Sequence, residues 1–348
     1  MKRAAQVLTA GLSAQAGLAQ VSVPDNFKPG VKWQIIIQNT LDISKPVNPT
    51  DAVVWDLDLY HVARTPEIVD HLKSNNPDTL LICYFNAGLA QVSDCDYAKW
   101  EASGLLGNIY DPSEPEFSDE RWVNIKNQTA RDWMKARITL ASTLGCDGVD
   151  PDNIDGYVRD EDPDTPANEG TGWSLAESDY VSFVTELAAH AHSLTTARGH
   201  SLLIGQKNAP GLVDQLSDIL DFAVLEDCKS LNDAEDTPFC KDFQAYITSS
   251  TPAGGKPVFS IEYPSSIGDD SGKCSADGAS DEQYAASCDA TKGNEGFSTV
   301  LKIQGGDGEL NGCTQYCDGG KPKTGVVVSP TDPELDGNKC PDNATKKC

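Results

Sequence analysis

The sequence predicts a (β/α)8 barrel with long βα loops and a cysteine-containing C-terminal tail. Three observations carry that expectation. The 348 residues suit one large barrel or two small domains. Eight short apolar runs are continuous rather than alternating, as in parallel strands covered on both faces. Longer helical patterns fall between them.

The runs cover 33–38, 52–57, 79–84, 148–149, 202–204, 222–225, 257–261 and 298–303. A helix is expected over 66–73, with Thr65 as N-cap and Pro66 in the first turn. A second, over 129–144, ends at Gly145 as C-cap. A third, over 175–197, carries Tyr180, Phe183, Val184, Leu187 and Ala191 on one stripe and stops at Gly199. A shorter one covers 239–247. A doubly wound sheet is the alternative, but no Gly-rich nucleotide loop follows the first strand. Residues 85–127 and 264–296 are long excursions of the kind that build a barrel's substrate face. Residues 318–348 read as a tail tied down by Cys340 or Cys348.

Charge and cysteines narrow the function class. The net charge of −26 opposes nucleic-acid binding, which needs clustered Lys and Arg. No apolar run approaches the ~20 residues of a membrane-spanning helix. The eleven cysteines include no Cys-x-x-Cys pair, and most lie in the loop-rich second half, which points to disulfides and an oxidising compartment. Cys228 and Cys240 are expected to bridge over the loop after the sixth strand. Cys83 and Cys146, in apolar runs, read as free buried thiols. Met1-Lys2-Arg3, the apolar stretch after it and Gly17-Leu18-Ala19 read as a signal peptide over 1–19. The expected organisation is therefore this leader, a barrel over 20–317 and a tail over 318–348, secreted and monomeric.

A barrel's active site lies where its strands end. The second strand ends in Asp56 and Asp58, the third in Tyr84-Phe85-Asn86, and the fourth in Asp150, Asp152, Asn153 and Asp155. The fifth ends in Lys207-Asn208, the sixth in Glu226 and the seventh in Glu262-Tyr263. Carboxylates from four strands thus converge on one mouth. Glycoside hydrolysis needs two carboxyl groups flanking the scissile bond, and separate strand ends can hold them at a fixed distance. The run 150–155 superficially resembles a calcium loop, but Gly156 comes one place late and the closing Glu is missing, so no metal is expected. No Gly-x-Ser-x-Gly elbow supports a serine triad, and no cofactor motif is present.

Ordered blocks then carry a family likeness: Trp33-Gln34, Val54-Trp55-Asp56-Leu57-Asp58, 82–88, 145–157, Lys207-Asn208, Glu226-Asp227-Cys228, 256–263 and 297–302. With them the chain resembles glycoside hydrolase family 114, the endo-α-1,4-polygalactosaminidases. The resemblance implies a barrel that cuts inside an α-1,4-linked galactosamine polymer, with Asp152 and Glu226 as catalytic carboxylates. The residues expected to contact substrate are Asp56, Asp58, Tyr84, Asp150, Asn153, Asp155, Lys207, Asn208, Glu262 and Tyr263. The expected partner is a galactosamine-containing polysaccharide, partly deacetylated. The alternative is a catalytically silent carbohydrate-binding barrel. Where family members often read Trp-Leu-Asp-Ile, this chain has Trp122-Val123-Asn124-Ile125.

Overall fold

We describe a computed structural model of the chain over residues 21–113, 117–231, 238–250, 254–269, 272–305 and 309–328. The proposed leader, Cys340 and Cys348 lie outside these residues. Eight parallel strands follow one another around the sheet in chain order: β1 (Trp33–Ile36), β2 (Val54–Asp58), β3 (Leu80–Asn86), β4 (Gly148–Asp152), β5 (Leu203–Lys207), β6 (Phe222–Glu226), β7 (Val258–Glu262) and β8 (Ser298–Leu301). They fall on all eight expected runs. An antiparallel hairpin, Cys313–Tyr316 with Lys323–Thr324, extends the sheet beyond β8. Val327–Val328 then pairs with Thr40–Leu41, so the first eleven residues assigned to the tail, 318–328, are partly woven into the fold.

Successive side chains on a strand point to opposite faces. One buried cluster gathers Trp33 and Ile35, Val54, Leu80 and Ile82, Leu203, Phe222 and Val224, Phe259 and Ile261, and Val300, which is the barrel interior. Glycines make room there. A Cβ on Gly205 would lie 2.4 Å from the Phe222 ring, and one on Gly148 would meet Leu203 and the same ring. The alternate residues pack outward against the helices in a second cluster.

The seam between β8 and β1 is held by side chains. The Trp33 indole donates to the Ser298 carbonyl at 2.7 Å. The buried Lys302 amine donates to Gln34 Oε1 at 2.8 Å, the Asn311 carbonyl at 2.6 Å and Thr314 Oγ1 at 2.9 Å.

The helices follow their sequence signals. In α1 (Glu67–Asn75) the cap position is Pro66 rather than Thr65. Proline has no N–H, so the helix start leaves it no unmet donor. Asn127 caps α2 (Gln128–Leu144) by accepting from the Thr129 N–H at 2.8 Å, and Gly145 ends it at φ 94°, a left-handed value that glycine adopts without strain. The expected stripe of α3 (Glu177–Ser193) is buried throughout. The 239–247 helix forms as a 3-10 turn, Cys240–Phe243, running into Gln244–Ile247.

Cys83 and Cys146 form a disulfide, which corrects the reading as free thiols. Period two puts Cys83 on the outward face of β3, and Cys146 leads into the neighbouring β4. Closing 63 residues of chain stabilises the fold by about 4 kcal/mol in the chain-entropy picture. Cys228–Cys240 is bridged as expected. Cys274–Cys313 and Cys288–Cys317 tie the 264–296 excursion to the added hairpin. Cys95 is disulfide-bonded as well.

The 85–127 excursion holds a small sheet of Leu89–Gln91, Leu106–Ile109 and Glu120–Val123. It is fastened by Arg137 of α2, which has no exposed surface. The guanidinium donates to Asp94 at 2.7 Å, to Asp96 at 2.7 and 3.1 Å, and to the Asn86 carbonyl at 2.7 Å. Burial pushes Asp94 up to about 7, against the pull of Arg137. For Asp96 burial also opposes charge, but Arg137 and Lys99 overcome it and hold the carboxyl at about 2.

Candidate active site

The inward-facing positions at the ends of β3 to β7 build the site. Lys207 stands at its centre, 2% exposed. Its ammonium lies 3.1 Å from Asp152 Oδ2 and 2.6 Å from Glu226 Oε2. Two oxygens at those distances from one nitrogen can be no farther apart than the two lengths laid end to end, about 5.7 Å. Burial alone would lower the lysine's pKa; the carboxylates of Asp152, Glu226 and Asp150 outweigh it and hold Lys207 well above its ordinary value. The Tyr84 hydroxyl donates to Asp152 Oδ2 at 2.8 Å, and the Tyr263 hydroxyl donates to Glu226 Oε1.

Backbone turns lock this arrangement. Asp152, Lys207 and Glu226 are each followed by a residue at positive φ: Asn153 at 59°, Asn208 at 45° and Asp227 at 47°. Asn and Asp tolerate this region better than other residues with a Cβ. Asn208 Oδ1 accepts from the Glu226 N–H at 2.9 Å, and Asp152 Oδ1 accepts from the Asn153 N–H at 2.7 Å. The Asp152 carbonyl accepts from Ala87 and Gly88 at 2.9 and 3.1 Å. A Cβ on Gly88 would come within 1.8 Å of the Asn153 carbonyl oxygen, so only glycine fits.

Of the expected residues, Tyr84, Asp152, Lys207, Glu226 and Tyr263 meet directly, with Asn153 and Asn208 behind them. Asp155 is half-buried beside them, its carboxyl pushed up by burial and then by Asp152. Four others face elsewhere. Asp58 caps the helix Leu59–Arg64, accepting from the His61 N–H at 2.8 Å. Asp56 and Asp150 have no exposed surface and lie within the barrel below the mouth. Glu262 is also fully buried, and it is on the wrong face. Tyr263 points inward, so its neighbour on the strand points outward, next to Ser260 Oγ at 3.3 Å and Cys228 Sγ at 3.7 Å. Burial pushes Glu262 up to about 8. Cys228, Cys240 and Glu262 come together, but the two sulfurs are spent on a disulfide, so the trio offers no thiolates to a metal.

Three residues near the mouth were not among the expected contacts, although Asn86 stands at the end of the third expected strand. Asn86 follows Tyr84 by two and so shares its face; its Oδ1 accepts from Tyr84 at 3.3 Å and from the Asn153 amide. Glu120 comes from the small sheet, and Tyr110 directly follows its strand Leu106–Ile109, donating its N–H to the Glu120 carbonyl at 2.9 Å. Burial, then Asp119 and Asp152, push Glu120 up to about 8. Burial, then Asp155, push Tyr110 up to about 12.

A family model described as glycoside-hydrolase family GH114 matches residues 15–322. The chain belongs to glycoside-hydrolase family GH114. It is thus a glycoside hydrolase, and its carboxylate mouth sits where the barrel architecture places chemistry. Among solved structures, this GH114 chain is similar to Aspergillus fumigatus Ega3 in complex with galactosamine, at 29% identity and a TM-score of 0.63, over 86% of this chain and 100% of that one. The glycoside hydrolase domain of PelA from Pseudomonas aeruginosa aligns at 14% identity and a TM-score of 0.47, over 78% of this chain and 94% of that one. No protein with a curated description matches.

Proposed function

We propose that this GH114 enzyme is a secreted, endo-acting hydrolase of α-1,4-galactosaminidic bonds that retains anomeric configuration. Asp152 is the nucleophile and Glu226 the general acid/base. The observation that carries the mechanism is the bridge through Lys207. It limits the facing oxygens of Asp152 and Glu226 to about 5.7 Å. Retaining enzymes hold their carboxyls about 5–5.5 Å apart, whereas inverting ones need roughly 6.5–9.5 Å to admit a water. Tyr84, Lys207 and the Asn153 N–H fix the Asp152 carboxylate in one orientation for attack on the anomeric carbon. Glu226, on the longer side chain, protonates the leaving oxygen and then takes a proton from the water that cleaves the glycosyl ester.

The substrate class rests on the similarity to Ega3, solved with galactosamine, and on charge. A deacetylated galactosamine unit is a cation near neutral pH, and this chain carries −26 overall, with Asp155 at the mouth. Four mapped disulfides support an oxidising destination, and among the described residues no helix is long and apolar enough to cross a membrane.

The test is incubation with a partly deacetylated α-1,4-galactosamine polymer, with product sizing and proton NMR of the first-formed end. Oligomers of several sizes and an initial α-anomer are expected. An initial β-anomer overturns retention, release of single sugars alone overturns endo action, and an uncut polymer that nevertheless binds supports the silent barrel instead.

A further inference from the structure

Beneath the catalytic cluster, β2 and β4 each send a carboxyl into the barrel. Asp56 stands in register with Ile82, and Asp150 with Tyr84, on either side of β3. Alternate strands of a barrel contribute side chains to one interior layer. Neither side chain has exposed surface, and no N–H or hydroxyl donor among the described residues reaches any of their four oxygens. The two carboxyls face each other closely enough to share a hydrogen bond, and among the described residues nothing else satisfies them. Two ionised carboxylates are acceptors only, so a hydrogen bond between them requires a proton on one. The charged groups that face the pair are Lys207 of β5, Asp152 of β4 and Glu226 of β6.

We propose that Asp56 stays protonated and donates to Asp150, and that the Asp150 carboxylate anchors Lys207 from below, positioning it between Asp152 and Glu226. The proposal rests on the catalytic assignment above. Asp56 and Asp150 are positioning residues, since neither reaches the mouth. Burial, then the charge of Asp150, drives the Asp56 carboxyl well above its ordinary range, with Lys207 opposing. Burial pushes Asp150 up to about 8; Lys207 opposes this, while Asp152 and Glu226 add to it. Asp150 therefore gains its charge as pH rises through the neutral range, and the anchor strengthens with it.

The two substitutions to amide separate the roles. In Asp56→Asn the new amide N–H donates to Asp150 as the proton did. In Asp150→Asn the anion that faces Lys207 is gone. The full-length protein is assayed from pH 5 to 9 on the polymer. Wild type should show a rise in kcat with an apparent pKa near 8. Asp56→Asn should keep that limb and stay within about three-fold of wild-type kcat, since an amide preserves the hydrogen bond. Asp150→Asn should lose the limb and fall about ten- to a hundred-fold in kcat with little change in KM, as expected when only alignment is lost. Equal damage from both, or a limb that survives Asp150→Asn, overturns the proposal.

Infrared difference spectra provide a readout that needs no turnover. A protonated-carboxyl band at neutral pH should weaken in Asp56→Asn. If the band is present but no polymer is cut, the functional reading fails while the shared proton stands; a band unchanged by Asp56→Asn sinks the shared proton itself.

Discussion

Lys207 between Asp152 and Glu226, and Arg137 between Asp94 and Asp96, are both single cations set between two carboxylates. In the first cluster the acids keep 16% and 23% of their side-chain surface exposed; in the second, 5% and 1%. Arg137 spends its planar fork on both acids and on the Asn86 carbonyl, so the cluster is sealed. Lys207 is a point charge, and the acids beside it still face the opening. A similar core of one cation and two acids is thus sealed in one place and open in the other, and the remaining access to the carboxylates separates a fastening from the candidate site. The two are also joined: Arg137 holds the carbonyl of Asn86, and the next two residues, Ala87 and Gly88, hold the carbonyl of Asp152.

Substitutions at matching positions should sharpen the contrast. Asp152→Asn keeps the shape but replaces one of the two accepting oxygens by an amide N–H donor and removes the charge of the proposed nucleophile. Turnover should fall by about a thousand-fold or more while thermal melting moves by only a few degrees. Near-wild-type turnover would remove Asp152 from the mechanism. Arg137→Met does the reverse, stranding the buried Asp94 and leaving Asp96 with Lys99 alone. It should cost about 3–5 kcal/mol in urea unfolding while the folded fraction keeps most of its kcat. A cost below about 1 kcal/mol would show that the cluster is not sealed.

Gly88→Ala tests the link between them. The new Cβ collides with the Asn153 carbonyl, so about 1–3 kcal/mol of stability and a sizeable part of kcat should be lost together. Loss of stability with kcat intact would uncouple the two clusters.

The smallest expected effect is a slope. Glu120 and Glu262 are pushed to about 8 and Asp94 to about 7, all first by burial. In the unfolded chain these acids sit at ordinary values, so the folded state binds more protons above that range. Their contribution is greatest at and below the ordinary carboxylate range and is lost as pH rises towards 8. The urea midpoint should therefore fall over that interval, and Glu120→Gln should flatten part of the fall. Asp96, held at about 2, acts in the opposite sense and loses its contribution as pH drops below the ordinary range.

The barrel and the centre of the site were legible because both are local in sequence. Each strand announces itself as an apolar run, and Tyr84, Asp152, Lys207 and Glu226 close four of them. The misplacement of Glu262 was avoidable: it and Tyr263 are adjacent on one strand and cannot both face the mouth. Asp58 competes for two roles that look alike in sequence, a strand end and a helix cap, and the cap won. Cys83 and Cys146 were misread because burial does not distinguish a thiol from a disulfide. Tyr110 and Glu120 were out of reach. They arrive through a small sheet whose pairing, fastened by Arg137, joins residues far apart in the chain.

The seam has a consequence for how the molecule comes apart. Seven junctions between neighbouring barrel strands are backbone ladders, whereas β8 meets β1 through Trp33, Gln34 and Lys302. The sheet is therefore a strip closed by a buckle, and the buckle is an amine whose proton affinity burial has lowered well below that of a free lysine. Breathing motions should begin at the fastening, and hydrogen exchange should reach the amides there before those of the ladders. A circularly permuted chain, cut in an outer loop and rejoined across its old ends, keeps every ladder and leaves the buckle to be tied last.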